Sequence, residues 1–341
     1  MRHALRLTIR TAVAAAAVFA AGSLSAQEWT TTTDTHRFME VRNGIWLTQT
    51  TAQVFNSNAL VIVNDEDVIL VDSHVTPAKA RDLIASIPAI TDKPVTTLIN
   101  SHFHWDHAHG NQEFADIPII GHEYTRMKMA TAPLEEPTYV TGINGNAATL
   151  ERLAEQIEAA EDEEERAGLE AYRSMFAAHA ADFDEIDPLP PDVTMNEKMT
   201  LFRGGREIQI MFVGRAHTGG DTVIYFPQDK LVFTGDMLFG GPSFMGDGYV
   251  DEWAETLENL KALDFDIVVP GHGPPLNDLS AIEKSQEYYR VLWERTAEKH
   301  AAGVPAEEVS GALDLSATAF PQRQPSDVEV RRMYHRMENP D

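Results

Sequence analysis

The stretch NSHFHWDHAHGN, residues 100–111, sets four histidines and an aspartate within eight positions, in a 341-residue chain that has thirteen histidines altogether. His102 and His104 lie two apart, so in an extended segment their side chains point the same way and can bind one ion. Asp106 and His107, where the chain turns, would face a neighbouring position. Neutral imidazole and carboxylate are good zinc ligands, with Zn–N distances of about 2.0–2.1 Å. A dense histidine cluster can arise on a surface by chance, but three later features point the same way. His217 sits in GRAHTGGD, Asp236 closes KLVFTGD, and His272 follows DIVVP in PGHG. Each falls at the end of a β-rich run beside glycines, where the backbone can come close to an ion. The chain has no cysteine, so disulfides and thiolate chemistry are excluded and any metal must be held by nitrogen and oxygen.

The elements that must position these residues alternate between β-rich and helical runs. GIWLTQ (44–49), NALVIVN (58–64) and DVILVD (67–72) read as a meander with NDED as a hairpin turn, and VTTLIN (95–100) as a further strand that opens at once into the histidine cluster. Pro77 starts a helix between them. A second β-rich half runs through KMTLF (198–202), EIQIMFV (207–213), DTVIYFP (221–227), KLVFTGD (230–236) and DIVVPGHG (266–273). Helices are expected over 250–263 and about 278–302, with Ser326 and Glu329 as the capping box of a last one. Residues from about 130 to 195 differ in character: ERLAEQIEAAEDEEERAGLE carries nine acids and two bases with apolar residues at helical spacing. This reads as an inserted acidic helical hairpin, available as a lid or a dimer surface. Two β-rich halves with their own helices suggest two sheets stacked face to face with helices outside.

HFHWDH, AHTGGD, TGD and PGHG, in this order, resemble the metal motifs of the metallo-β-lactamase-fold hydrolases, and Asp72 at the end of VILVD resembles that family's early aspartate. The resemblance covers about residues 40 to 280. It implies an α/β fold, the αββα four-layer sandwich, with metals between the sheet edges. Carried over residue by residue, it implies one zinc held by His102, His104 and His217, a second held by Asp106, His107 and His272, and Asp236 bridging them. It places Asp72 behind the ligands, as a hydrogen-bond partner. Lactamases of the cysteine-ligand type use a thiolate where this chain has Asp236. The full set is closer to the glyoxalase II, lactonase and ribonuclease Z branches. His104 stands where diiron relatives have a glutamate, which favours two zinc ions and leaves a single iron as the alternative.

Two such metals acidify a bridging water to a pKa of about 7 and polarise the carbonyl under attack. Asp106 is the expected catalytic residue, orienting the hydroxide and passing a proton to the leaving group. Trp105, Phe239 and Met245, with Met237, Phe244 and Tyr249, are candidates for an apolar substrate wall. No basic cluster stands out, although Arg215 and Arg203 offer single contacts. The expected activity is hydrolysis of a small carbonyl substrate, a β-lactam or lactone. The alternatives are a glyoxalase II-like thioesterase and a mononuclear-iron sulfur dioxygenase.

Apolar residues make up 43% of the chain, enough for an ordinary buried core. Residues 1–26 have a basic start, an Ala/Val run and small residues to Ala26, the layout of a secretory signal peptide. The remainder, 27–341, is then one catalytic domain, exported to the periplasm or secreted. The whole chain carries −26, and its first 26 residues hold three arginines and no acids, so the exported part carries −29. That field repels phosphate backbones and anionic lipid, so a small-molecule substrate is expected rather than nucleic acid or a membrane. The acidic hairpin offers a surface for a homo-oligomer.

Overall fold

A computed structural model describes residues 28–340 apart from residue 53. The expected signal segment lies outside the described residues, and no helix among those described is long and apolar enough to cross a membrane. The first sheet holds eight strands in sequence order: β1 (Thr31–Thr32), β2 (His36–Arg42), β3 (Ile45–Thr50), β4 (Ala59–Val63), β5 (Val68–Val71), β6 (Val95–Ile99), β7 (Ile119–His122) and β8 (Val193–Met195). The second holds β9 (Lys198–Arg203), β10 (Arg206–Phe212), β11 (Thr222–Phe226), β12 (Leu231–Gly235) and β13 (Ile267–Pro270). β1 to β5 are antiparallel, while β5 to β8 and the β12–β13 pair are parallel.

Strand sequences such as ALVIV and VILV are apolar throughout because both faces are covered. Alternate side chains serve different layers. Leu60, Ile62, Ile69 and Val71 meet Ile208, Ile210, Phe226 and Phe233 between the sheets. Ala59, Val61, Val68 and Leu70 turn outward onto α1 (Pro77–Ser86), through Ala80 and Leu83. On the far side Val223, Val232 and Val268 are covered by α6 (Val250–Lys261), α7 (Ser280–Ala301) and α9 (Asp327–Glu338), through residues such as Leu257, Tyr289 and Val330. These are the four layers, helix, sheet, sheet and helix, that the two β-rich halves implied.

Two long helices, Pro137–Ala159 and Glu163–Ala181, occupy the acidic region, the second capped by Asp162 with three glutamates in its first turn, where they favour the helix dipole. The helical stretch ends sooner than the expected 130–195, since Val193–Met195 pair in parallel with Ile119–His122 as the edge of the first sheet. Strands β2 and β7 are likewise absent from the sequence reading. IPIIGH has too few apolar alternations to declare itself, and it is the neighbours β6 and β8 that fix it as a strand.

The consequence for function is at one end of the sandwich. β5, β6, β12 and β13 end there, delivering Asp72, the histidine cluster, Asp236 and His272 to one edge. Open α/β sheets bind ligands outside the carboxyl ends of such strands. Backbone bonds stitch the sheets together at this edge, from Asn58 N–H to the Gly271 carbonyl at 2.7 Å and from Thr222 N–H to the Ser101 carbonyl at 2.8 Å. Phe233, fully buried between the sheets on β12, sets how far apart they stand. Phe233→Ala is expected to cost about 3–5 kcal/mol of unfolding free energy by denaturant titration. Phe202→Ala, at a side chain 68% exposed, should change it by less than about 0.5 kcal/mol.

Candidate metal centre

Five imidazoles converge at this edge, and each is turned by an acceptor on its outer side. His217 Nδ1 donates to the Phe244 carbonyl at 2.9 Å and His272 Nδ1 to the Asn56 carbonyl at 2.9 Å. A carbonyl oxygen only accepts, so each ring carries a proton on Nδ1 and turns its Nε2 inward. His107 Nδ1 donates to Asp72 Oδ2 at 2.9 Å. His102 Nδ1 donates to the Ser101 hydroxyl at 3.0 Å, which itself donates to Asp72 Oδ2 at 2.8 Å. His104 is reversed: Nε2 donates to Asp247 Oδ2 at 3.1 Å, and Nδ1 faces in.

The inward lone pairs then oppose one another. His217 Nε2 stands 2.8 Å from His104 Nδ1, and His107 Nε2 stands 3.3 Å from His272 Nε2. His102 Nε2 is buried with no hydrogen-bond partner. Nitrogen lone pairs at such separations repel unless a cation lies among them. The donor atoms fall into two sets, His102, His104, His217 and Asp106, His107, Asp236, His272, each within 4.8 Å of one another. Asp236 reaches both: Oδ2 is 3.5 Å from His217 Nε2 and 3.5 Å from His272 Nε2, and Oδ1 is 3.1 Å from His107 Nε2.

The charges ask for the same thing. Burial opposes ionisation of Asp106 and Asp236, yet His107 and His272 beside them hold both well below the usual carboxylate range. Burial also opposes a charge on His272, but Asp236 and Asp106 push its pKa up to about 10, so without a metal the ring holds a proton that a cation would replace. Two ionised carboxylates therefore favour positive charge at their centre. In the other set burial dominates and holds His217 down at about 4, a neutral ring with its lone pair available. Neutral nitrogens and ionised carboxylates are the forms that ligate a metal, so the donor set fits divalent cations.

Glycines admit this crowding. A Cβ on Gly271 would lie 2.0 Å from Asp236 Oδ1, and one on Gly235, whose φ is +51°, would lie 2.8 Å from Ser101 Oγ. Asp72 has φ 62°, a costly conformation for a residue with a side chain, and fully buried it receives Ser101 N–H at 2.8 Å besides the Ser101 hydroxyl and His107. Burial pushes its carboxyl pKa up while His107 and Ser101 pull it down. It lies behind the ligands, where the sequence puts it.

Above the donors opens a cavity of about 530 Å³ lined by Phe55, Trp105, Phe239, Phe244, Thr138, Thr141 and Gly142, with Asp106, Asp236, His104, His217 and His272 at its floor. Trp105 and Phe239 are in the wall as expected. Met245 is not: it is completely buried among Leu257, Val330 and their neighbours. The chain turns inward after Phe244, and Met237 and Tyr249 are core residues for the same reason. Arg215 pairs with Glu252 and Arg203 with Asp67, away from the cavity. His109 is buried against Tyr139 and lies outside both donor sets. Phe55, Thr138, Thr141 and Asp247 were not legible in the sequence, since no motif marks them. Gly142 lets the first acidic helix press on Trp105: a Cβ there would be 2.8 Å from the indole ring. That helix is one wall of the site.

Comparison with known proteins decides the lineage. The family model described as the metallo-beta-lactamase superfamily matches residues 52–272. The chain belongs to that superfamily. With the donor set above, membership makes it a metal-dependent hydrolase. Curated relatives include the 2,4-dinitroanisole O-demethylase subunit alpha of Nocardioides sp., 25% identical over 81% of this chain and 67% of that protein. The linear primary-alkylsulfatase of Pseudomonas sp. is 23% identical over 69% of this chain, which spans only 44% of that relative. A metallo-beta-lactamase type 2 of Bacillus sp. is 22% identical over 71% of this chain and 77% of its own length. Among solved structures, the metallo-beta-lactamase from Pontibacter korlensis aligns with a TM-score of 0.55 at 18% identity, covering 75% of this chain and 99% of its own.

Asp72 orients His107 directly and His102 through Ser101. Asp72→Ala is expected to weaken zinc binding by roughly 10–100-fold in a competition titration with a chromogenic chelator, with near-UV circular dichroism unchanged. Affinity equal to that of the parent would show that the ligands hold their orientation unaided.

Proposed function

We propose that the chain is an exported dinuclear zinc hydrolase of small, uncharged carbonyl compounds, lactones ahead of β-lactams. The observation that carries the reading is the convergence of five imidazole lone pairs and two carboxylates at the floor of an apolar cavity. His102, His104 and His217 would hold one ion, Asp106, His107 and His272 the other, and Asp236 both. Seven donors in two sets favour two ions over the single iron of a dioxygenase. When bound, two such cations lower the pKa of a water to about 7 and polarise the bond under attack.

The protein's own groups do the rest. Asp106 stands at the cavity floor with Oδ2 2.9 Å from His272 Nε2. It orients the attacking water towards the acyl carbon and passes the water's proton to the leaving oxygen as the acyl–oxygen bond breaks. Phe55, Trp105 and Phe239 form walls that exclude bulk water, with Phe55 and Phe239 rings 5.5 and 5.4 Å from that of His272. Among the described residues the cavity lining contains no lysine or arginine. β-Lactams carry a carboxylate and glutathione thioesters a doubly acidic tail, and neither finds a basic side chain in the walls. A neutral lactone with an apolar substituent needs none.

The relatives that cover most of this chain suggest a second reading, cleavage of a C–O bond in an aryl ether or alkyl sulfate. The apolar walls would suit such alkyl or aryl groups. A net charge of −26 for the whole chain and a cavity lining without lysine or arginine among the described residues disfavour the sulfate. The signal-like layout of residues 1–26 suits the main reading, because an exported enzyme would meet small lactones and lactams that reach the periplasm from outside.

The test compares initial rates of the zinc-loaded protein on an aryl-substituted lactone, a chromogenic cephalosporin and an alkyl sulfate, each with a chelated control. A chelator-sensitive rate greatest on the lactone is expected. The greatest rate on the cephalosporin would move the assignment to β-lactams, and no rate on either carbonyl compound with two zinc ions bound would contradict it. His104→Ala and Asp236→Ala should each lose bound zinc and lower turnover by more than the roughly 100-fold that outer partners cost; full metal and full rate in either would refute the ligand assignment.

A further inference from the structure

We infer that the carboxy-terminal helix Asp327–Glu338 (α9) positions the three-histidine half of the metal centre, acting through the segment 243–249, with Glu329 as the positioning residue. The inference rests on the metal reading above. Two of the three histidines take their outer hydrogen bonds from this segment: His217 from the Phe244 carbonyl at 2.9 Å and His104 from Asp247 at 3.1 Å. Asp247 Oδ2 also accepts from the Thr138 hydroxyl at 3.1 Å, which fixes the carboxylate against the ring. It takes the His104 Nε2–H, and this turns the ring so that Nδ1 and not Nε2 faces inward.

The segment has no regular structure of its own, and between Phe244 and Asp247 its backbone is pinned from α9. Glu329, 1% exposed, accepts the Met245 N–H at 2.9 Å on Oε1. Its other oxygen closes the capping box that starts α9, taking Ser326 N–H at 2.7 Å and the Ser326 hydroxyl at 3.0 Å. Arg323 neutralises the carboxylate at 2.6 Å and also reaches the Ser243 carbonyl at 3.3 Å. Arg332, one turn along the helix, donates to the Gly248 carbonyl at 3.0 Å. One carboxylate thus fixes the start of the helix and the peptide next to Phe244, whose carbonyl orients His217. The two histidines of the other half are held independently, His107 by Asp72 and His272 by the Asn56 carbonyl, neither of which belongs to α9 or to the segment. The clamp comes from beyond residue 272, outside the stretch shared with the superfamily.

Loosening α9 should therefore weaken one metal site and spare the other. The experiment titrates the metal-stripped full chain with cobalt(II), reading visible absorption and equilibrium-dialysis stoichiometry. The unaltered chain should bind two ions. In Glu329→Ala the three-histidine site should weaken by roughly 10–100-fold while the site of Asp106, His107 and His272 keeps its affinity and its spectrum. Glu329→Gln, which keeps an acceptor for Met245, should recover most of the loss, and a purely structural role would not separate the sites. If Glu329→Ala does not fold, Arg332→Met removes the Gly248 hydrogen bond and the guanidinium that lies 4.8 Å over the Tyr249 ring, and should show the same one-sided weakening to a smaller degree. Equal weakening of both sites, or of neither, in the folded variants would overturn the inference with the metal reading intact. An unaltered chain that binds no cobalt would overturn both.

Discussion

Each imidazole at the centre of this protein has its proton committed on the outside. The Phe244 and Asn56 carbonyls, Asp72, Asp247 and the Ser101 hydroxyl take the outer N–H groups, and the inner nitrogens are left 2.8 and 3.3 Å apart in the facing pairs. Such an arrangement is unfavourable alone, and it persists because the sheets and loops that carry the acceptors over-determine it. Strained backbone at Asp72 and bare glycines at 235 and 271 belong to the same constraint, since the acceptors must approach closely from behind. A divalent cation turns the repulsion into ligation. Metal affinity and fold stability should accordingly be linked, because a ligand that binds only the folded chain stabilises it.

The sandwich supplies the rigidity. Two sheets packed through Ile, Leu, Val and Phe bring the ends of four strands to one edge, and helices on both outer faces keep them there. Chemistry is confined to the loops beyond those ends, while the apolar cavity wall is assembled from parts far apart in sequence: Phe55 before β4, Phe239 after β12, and Gly142 on the first acidic helix. The polar floor lies within residues 52–272, the stretch that matches the superfamily model. The walls are apolar, and among the described residues they contain no lysine or arginine.

Much of this was legible in the residues. The alternation of β-rich and helical runs indicated two stacked sheets, the strand-end positions of His102, His217, Asp236 and His272 pointed to a metal site, and the family resemblance implied the set of seven donors. Motifs are visible when chemistry forces residue types into fixed local spacing, as in HFHWDH. Asp247 was not visible because its role depends on a fold-level approach to His104, 143 positions away, and nothing in MGDGY announces it. Met245 was misplaced for a related reason: Phe244 and Met245 are both apolar and adjacent, and only the turn of the backbone sends one to the cavity and the other to the core. Strands β2, β7 and β8 were missed because pairing with neighbours, rather than their own periodicity, makes them strands.

The central claim is that two ions lie among these lone pairs. Its most direct test is a crystal structure of the zinc-loaded protein with anomalous data at the zinc edge. The account predicts two peaks, one among His102 Nε2, His104 Nδ1 and His217 Nε2, the other among Asp106, His107 Nε2 and His272 Nε2, with the Asp236 carboxylate touching both. A single peak, or a His104 ring turned so that Nε2 is the ligand, would contradict it.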